Sequence, residues 1–295
     1  MATKTSAKTT TKTARAAAPR KRAPVAKAPA ARKAAKAAPT EIAKPLSGED
    51  VMKIIQLGKG SNSIELKLSV PLSGQRATVK SIGLDPVEAQ PRQAFYFDTP
   101  DLALSRAGVV VRARRIQGGR ADTVVKLRPV EPDTIDPELR RSAAFKVEVD
   151  VMPGGFVCSA SFKGVCTGRE VQDVADGKLA LSKILSKEQR AFFRQHAPVG
   201  VTLDQLVVLG PTLLLKAKHQ PKNYDRPITV EVWFYPDGTR ILEVSTKCLP
   251  EEFFKVGTEF KAYLGDHGIA LGAKQEPKTK TAIDFFGAML RQVAS

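Results

Sequence analysis

Residues that commonly cross-link proteins or hold catalytic metals are scarce in this sequence. It contains three cysteines and three histidines in 295 residues. The cysteines are odd in number and lack the paired spacing of a zinc site, so reduced, buried thiols are expected. Reduced thiols are typical of a cytosolic compartment. The histidines are too scattered to form a ligand set, and we expect surface or capping roles for them.

Long apolar segments are absent as well. No apolar run approaches the roughly 18 residues that a transmembrane helix needs. The N-terminus also lacks the apolar core of a secretory signal. These absences exclude the common membrane and secretory classes. We therefore expect a soluble, cytoplasmic protein with no membrane partner.

The N-terminal region has almost no acidic residues. Residues 1–45 hold 12 lysines and arginines and one acid, Glu41, so 11 of the 17 net positive charges of the chain lie there. Alanine, lysine, threonine and proline dominate, and a segment so poor in large apolar side chains should be disordered. The segment is similar to linker-histone tails and to the tails of some bacterial nucleoid or granule proteins.

Three roles are open for this basic tail. Loose, salt-sensitive binding to nucleic acid or another polyanion is the favoured interpretation, because counterion release drives such binding. It would associate the protein with a nucleoid, nucleus or granule. A solubilising tail without a single partner is the first alternative, and an organelle transit peptide is the second.

Alternation of charged and apolar residues recurs along the globular domain, residues 46–295. It is clearest at Glu65–Lys67, Arg112–Arg114, Lys126–Arg128, Glu148–Asp150, Lys216–Lys218 and Glu243–Lys247. Side chains in a strand point to opposite faces, so these segments should place charges on one face and aliphatic residues on the other. Ordinary half-buried strands with solvated charges would show the same pattern. Because lysine, arginine and glutamate dominate the polar face, we expect a charged cavity that binds anions, with or without a metal.

Eight antiparallel strands are predicted, which makes the chain mainly β within an α+β fold. A helical insert at 165–197 and C-terminal helices at 250–264 and 282–293 complete it. A small closed barrel of about eight strands has room for side chains or one small ligand. The predicted strands are 63–70, 93–98, 109–116, 122–129, 144–151, 206–218, 228–235 and 240–247.

Four segments resemble the CYTH family, also called triphosphate tunnel metalloenzymes. The most specific is Tyr96 to Leu104, followed by Gly108 and then Arg112-Ala-Arg114. The others are Thr123 to Arg128, Ser63 to Lys67, and the hairpin of residues 230–247. The resemblance covers residues of about 60 to 285. It implies an eight-stranded antiparallel tunnel whose lumen binds triphosphate, polyphosphate or a nucleotide.

The resemblance also implies roles for individual residues. Glu65 and Lys67 would be catalytic, and the metal would be Mg²⁺ or Mn²⁺. Oxygen ligands of this kind suit either ion. The implied metal ligands are Glu65, Glu231, Glu243 and Glu148. The implied substrate-binding residues are Lys67, Arg112, Arg114, Lys126, Arg128, Lys216, Lys218 and Lys247.

Two serines depart from the family pattern. Ser63 stands where the opening motif has an acid, and Ser245 stands where the closing strand often has one. The cationic half of the lumen is thus complete while the acidic half is thinned. Three functions follow as hypotheses: a metal-dependent triphosphatase, a non-catalytic polyphosphate- or nucleotide-binding module tethered by its tail, and an adenylate cyclase.

Overall fold

A closed nine-stranded β-barrel forms the body of the protein. The computed structural model describes residues 45–269, 275 and 277–294, together with Met1. Almost all of the predicted tail, and hence the prediction of its disorder, lies outside the described residues. The strands are β1 (Ser63–Val70), β2 (Gln90–Asp98), β3 (Val109–Ile116), β4 (Ala121–Leu127), β5 (Phe145–Met152), β6 (Gly155–Cys166), β7 (Val207–His219), β8 (Ile228–Phe234) and β9 (Arg240–Cys248).

The predicted α+β barrel is confirmed, with two differences in detail. The ninth strand is β6, which pairs with both β4 and β5. Its centre reads Cys-Ser-Ala-Ser-Phe-Lys-Gly, and small residues of this kind carry little strand signal. The second difference is that β1 runs parallel to β5, whereas its other neighbour, β9, is antiparallel. The strand order around the barrel is β1-β5-β6-β4-β3-β2-β7-β8-β9.

Eight α-helices surround or cap the barrel in the described part of the chain. None of these is long and apolar enough to cross a membrane. The middle of the predicted helical insert at 165–197 is only a 3₁₀ turn, Leu181–Lys183. The helices are α1 (Gly48–Lys59), α2 (Gln75–Ser81), α3 (Ala103–Arg106), α4 (Pro137–Arg140), α5 (Gly168–Ala175), α6 (Lys187–His196), α7 (Phe253–Asp266) and α8 (Lys278–Ala294).

The apolar faces of the strands point outwards, under the helices. Strand β1 alternates strictly, with Ile64, Leu66 and Leu68 buried and Glu65 and Lys67 on the opposite face. Each buried aliphatic side chain contributes about 1.5–3 kcal/mol to folding. The helices therefore stabilise the barrel from outside, and the charged face of every such strand is left to line the interior.

A buried glutamine, Gln189, links helix α6 to the barrel through hydrogen bonds. Ser186 and Gln189 form a capping box at the N-terminus of the helix. The Gln189 side chain donates to the carbonyl of Phe162 at 3.1 Å and accepts from the Thr123 hydroxyl at 2.9 Å. Because Gly164 has no side chain, this network can lie directly against β6.

A second, smaller core closes one end of the lumen. Ile283 and Phe286 of α8 pack with Tyr96, Leu214 and Trp233 of the barrel wall. These wall residues occupy the same strand faces as the charged residues, so the apolar cluster replaces charge at that end. Helix α8 therefore packs against the lumen face of the barrel rather than against its outer wall.

Candidate functional site

The barrel encloses a charged cavity of about 600 Å³. Ten lysines and arginines but only five carboxylates line it, a surplus of five positive charges. Such a surface attracts anions and concentrates them. The cations are Lys67, Arg112, Arg114, Lys126, Arg128, Lys163, Lys216, Lys247, Lys278 and Lys280, and the carboxylates are Glu65, Glu148, Asp150, Glu231 and Glu243.

Lysines bridge the carboxylates on the side formed by β1, β5 and β9. The Lys67 ammonium lies 3.0 Å from Asp150 and 3.4 Å from Glu65. The Lys247 ammonium lies 2.6 Å from Glu148 and 3.5 Å from Glu65. Burial on its own would raise the pKa of Asp150, but Lys67, Lys126 and Arg128 hold that pKa well below its usual range. These carboxylates are therefore ionised and already neutralised by neighbouring cations.

A second acidic pair lies where β8 and β9 meet. Glu231 and Glu243 are register partners, and the Lys278 ammonium lies 2.5 Å from the first and 2.6 Å from the second. Glu231 also accepts from Lys216 at 2.8 Å and from the Trp233 indole at 3.1 Å. Burial would raise the pKa of Glu231, but Lys278 and Lys216 outweigh it and keep the pKa well below 4.5. Glu231 is therefore ionised, and Lys278 pairs with both acids.

Strands β2, β3 and β4 carry cations that lack such partners. Within residues 45–269 and 277–294, Arg112 and Lys126 form no hydrogen bond or ion pair, and the buried Arg112 Nε is unsatisfied. Burial lowers the pKa of Lys126 to about 8, although Asp150 acts in the opposite direction. Burial and the neighbouring Arg114 lower the pKa of Arg112. Arg114 itself is held by Asp122 at 2.6 Å. This wall of the lumen, formed by β2, β3 and β4, therefore lacks enough negative charge to neutralise its cations.

Most of the predicted substrate-binding residues do line the lumen. The exception is Lys218, which is exposed near the end of β7 and does not line the cavity. It shares a strand face with Lys216, so the alternation was right, but the strand runs past the tunnel at that point. Lys247 lies at the mouth, with its side chain 49% exposed.

The two serines that replace acids are both bound to carboxylates. The Ser245 hydroxyl donates to Glu65 at 3.0 Å, and the Ser63 hydroxyl donates to Glu148 at 3.4 Å. Each serine therefore supports a remaining glutamate instead of adding a negative charge. Their positions explain how the acidic half of the lumen stays ordered with fewer acids.

Sequence reasoning missed several residues of the lumen. Arg92 lies on the lumen face of β2 beside Arg114, and its Nε is buried and unsatisfied. It falls one residue before the predicted start of that strand, so no alternation pointed to it. Lys278 lies four residues before the start of the predicted helix at 282–293, whereas α8 begins at Lys278 itself. Asp122 is the second residue of β4 and lies on the same face as the predicted Lys126, a spacing that could have identified it.

The arrangement of the acids does not fit a bound divalent metal. Among the described residues, no three aspartate, glutamate, histidine or cysteine side chains converge on a possible metal position. The predicted ligands form two separate pairs, Glu231 with Glu243 and Glu65 with Glu148, and a lysine bridges each pair. A divalent ion about 4 Å from such an ammonium would be repelled by about 8 kcal/mol at an effective dielectric constant of 20.

Two solved structures share this architecture. One is a Hippeastrum protein named as an adenylyl cyclase with a dominant triphosphatase activity. Its sequence is 15% identical to this chain and the TM-score is 0.57. The match covers 75% of this chain and 95% of that one. The likeness agrees with the tunnel fold that the sequence resemblance implied. The other structure, named as an adenylate cyclase of Bacillus halodurans, is 15% identical with a TM-score of 0.53, over 74% of this chain and 96% of that one.

Sequence comparison adds nothing to this structural likeness. No protein-family profile and no curated protein sequence matches the chain. At 15% identity the two structures establish the fold and leave the activity of this tunnel to be argued from its own residues.

Proposed function

We propose that the lumen binds inorganic triphosphate or a short polyphosphate chain. The observation that carries the proposal is the pair of half-buried cations without an ion-pair partner, Arg112 and Lys126, in a cavity with a surplus of positive charge. A buried charge without a partner is unfavourable, and an anion that pairs with it relieves that penalty. An extended, multiply charged chain can contact several such cations at once.

Within the wall, the two residue types should contribute differently. Arg112 and Arg114 offer planar, forked donors that match phosphate oxygens, while Lys126 acts as a point charge. Arg128, 3.4 Å from Asp150, and Lys67 stand at the boundary between this wall and the acidic side. A bound chain would therefore lie along β3 and β4, facing away from Glu231 and Glu243.

Calorimetry with inorganic triphosphate tests the proposal. Arg112→Ala, Arg114→Ala and Lys126→Ala should each weaken binding by about 1–3 kcal/mol, the usual loss for a charge-assisted hydrogen bond. Lys218→Ala is the matched control, because it removes the same charge outside the cavity. Binding equal to the parent in all three wall variants, or an equal loss in the control, would contradict the proposal.

Hydrolysis of the bound triphosphate is the second candidate. It is favoured by the triphosphatase activity named for the Hippeastrum neighbour and by the retained Glu65 and Lys67 in the lumen. The Mg²⁺ or Mn²⁺ implied by the sequence resemblance stays a prediction. Turnover should be measured against Mn²⁺ concentration for the parent, Ser63→Glu and Glu243→Gln.

The outcomes of that assay separate binding from catalysis. If the parent is a Mn²⁺-dependent hydrolase, Ser63→Glu should lower the Mn²⁺ concentration needed for activity, because it adds an oxygen ligand near Glu65 and Glu148. Glu243→Gln should reduce turnover more than binding. If all three proteins are inactive yet bind triphosphate, the tunnel is a binding module. Cyclic AMP formed from ATP in the same assay would instead indicate the adenylate cyclase named for both neighbours.

The basic tail would add a second, independent attraction for polyanions. Its 12 lysines and arginines favour contacts with phosphate backbones that are indifferent to sequence. Linked binding of one polyanion by tail and tunnel would raise the overall affinity through effective concentration.

A further inference from the structure

Three lysine ammonium groups stand between pairs of lumen carboxylates. Lys67 joins Glu65 to Asp150, and Lys247 joins Glu65 to Glu148. Lys278 joins Glu231 to Glu243. The first two lysines belong to the barrel strands themselves, whereas Lys278 is the first residue of α8. It is also the most enclosed of the three, with its side chain only 13% exposed.

We infer that the Lys278 ammonium takes the place of a divalent cation between Glu231 and Glu243, so that this tunnel binds its polyphosphate ligand without a metal. The inference rests on the proposed function and specifies how the acidic side of the site is neutralised. A covalently tethered cation needs no recruitment from solution.

The contacts of Glu231 leave no oxygen free for a metal. Its Oε1 accepts from Lys216, and its Oε2 accepts from both Lys278 and the Trp233 indole. The Trp233 ring also lies against the ammonium, with Nζ 5.3 Å from the ring centroid. A metal at Glu231 would have to compete with these contacts.

Helix α8 fixes Lys278 in this position. Ala282 and Ile283, the next residues of α8 that face the barrel, are buried in the apolar cluster at the end of the lumen. The Tyr235 hydroxyl donates to the backbone carbonyl of Lys278 at 3.2 Å. The ammonium is thus placed by packing on both its own helix and the barrel wall, rather than by a freely moving side chain.

Removing this ammonium should convert the pair into a metal site. Lys278→Met keeps much of the apolar stem and leaves the Glu243 carboxylate without its ion pair. Two hard oxygen donors in register on adjacent strands are what Mn²⁺ prefers. Lys261→Met, an exposed position on α7, removes the same charge far from the lumen and serves as the matched control.

The experiment uses the full chain and two measurements. Calorimetry measures inorganic triphosphate binding in EDTA and again with Mn²⁺. Electron paramagnetic resonance measures Mn²⁺ binding in the absence of triphosphate. We expect the parent to bind triphosphate in EDTA and to gain no affinity from Mn²⁺. We expect Lys278→Met to bind Mn²⁺ at least about tenfold more tightly than the parent or Lys261→Met, within the range that neighbouring groups impose on metal affinity.

Each failure has its own meaning. Triphosphate binding by the parent that requires Mn²⁺ would overturn the inference and leave the proposed function intact. A parent that binds Mn²⁺ as tightly as Lys278→Met would also overturn it. No triphosphate binding under either condition would refute the proposed function itself. If Lys278→Met does not fold, as circular dichroism would show, the comparison of EDTA with Mn²⁺ in the parent still decides.

Discussion

Replacing Arg112 should make the free protein more stable while weakening its binding of triphosphate. The side chain lies in the lumen with its Nε buried and unsatisfied, and burial together with Arg114 lowers its pKa. Arg112→Met removes the charge and keeps an unbranched apolar stem of similar length. The variant therefore separates the requirements of folding from those of binding at a single position.

The expected magnitude follows from the environment of the guanidinium. An unsatisfied buried polar group costs about 1–3 kcal/mol, so its removal should raise the free energy of unfolding by up to that amount. For a domain of this size, 1 kcal/mol corresponds to about 2–4 °C in Tm. Loss of its charge-assisted contacts should weaken triphosphate binding by about 1–3 kcal/mol, or roughly 5- to 150-fold in Kd.

Arg114 provides the contrast on the same strand. Its guanidinium forms a forked ion pair with Asp122, with contacts of 2.6 and 3.0 Å. Arg114→Met leaves that half-buried carboxylate without its partner, so the same substitution should lower Tm by a few degrees. Both variants should bind triphosphate less well, which makes their opposite effects on Tm the informative result.

Thermal unfolding with and without saturating triphosphate measures both quantities. A ligand at 100 times its Kd stabilises the folded state by about 2.7 kcal/mol, and this increment should shrink in both variants. If Arg112→Met lowers the Tm of the free protein as much as Arg114→Met does, Arg112 has structural partners and the reasoning is refuted. An unchanged ligand increment in Arg112→Met would equally refute its role in binding.

Three further predictions concern pH, packing and the tail. Because the pKa of Lys126 is lowered to about 8, its charge is present below pH 8 and lost above it. Triphosphate affinity measured by calorimetry should therefore fall from pH 7 to 9, and Lys126→Arg should abolish that fall. A Cβ at Gly164 would lie 2.5 Å from both Gln189 Oε1 and Thr123 Oγ1, so Gly164→Ala should lower the free energy of unfolding by about 1–3 kcal/mol. Urea unfolding tests this against Gly155→Ala on the same strand, which meets no atom within 4 Å and should be near neutral. Deleting residues 1–45 should leave Tm unchanged and remove salt-dependent binding to unrelated DNA duplexes; a lower Tm, or binding that ignores salt, would contradict the interpretation of the tail.

The sequence was most informative where charge alternates with aliphatic residues. That pattern predicted the lumen face of β1, β3, β4 and β9, since side-chain direction in a strand follows directly from residue order. It could not show where a strand leaves the tunnel. Lys218 is on the predicted face of its strand but lies beyond the tunnel along the barrel axis, and Arg92 lies just outside the predicted strand limits. The position of a residue along the barrel axis depends on the stagger between strands, which is a property of the tertiary structure.

Partners across the lumen were equally hidden from the sequence. Whether Arg112 is free and Arg114 is paired depends on Asp122, which lies directly opposite Arg114 in the β3–β4 register. Lys278 reaches Glu231 and Glu243 from a helix 35 to 47 residues further along the chain. Composition predicts a charged lumen, but only the packed structure shows which charges are already neutralised.

The position of β1 between β5 and β9 has a consequence for how the protein is made. Glu65 meets Ser245 across 180 residues of chain, and Ser63 meets Glu148 across 85. Pairings this distant in sequence close slowly during folding, and β9 is the last of the nine strands to leave the ribosome. A nascent chain that ends before β9 has Arg112 and Lys126 but no enclosed lumen around them. It should therefore be unable to capture triphosphate, so the tunnel acquires its ligand only at the last step of assembly.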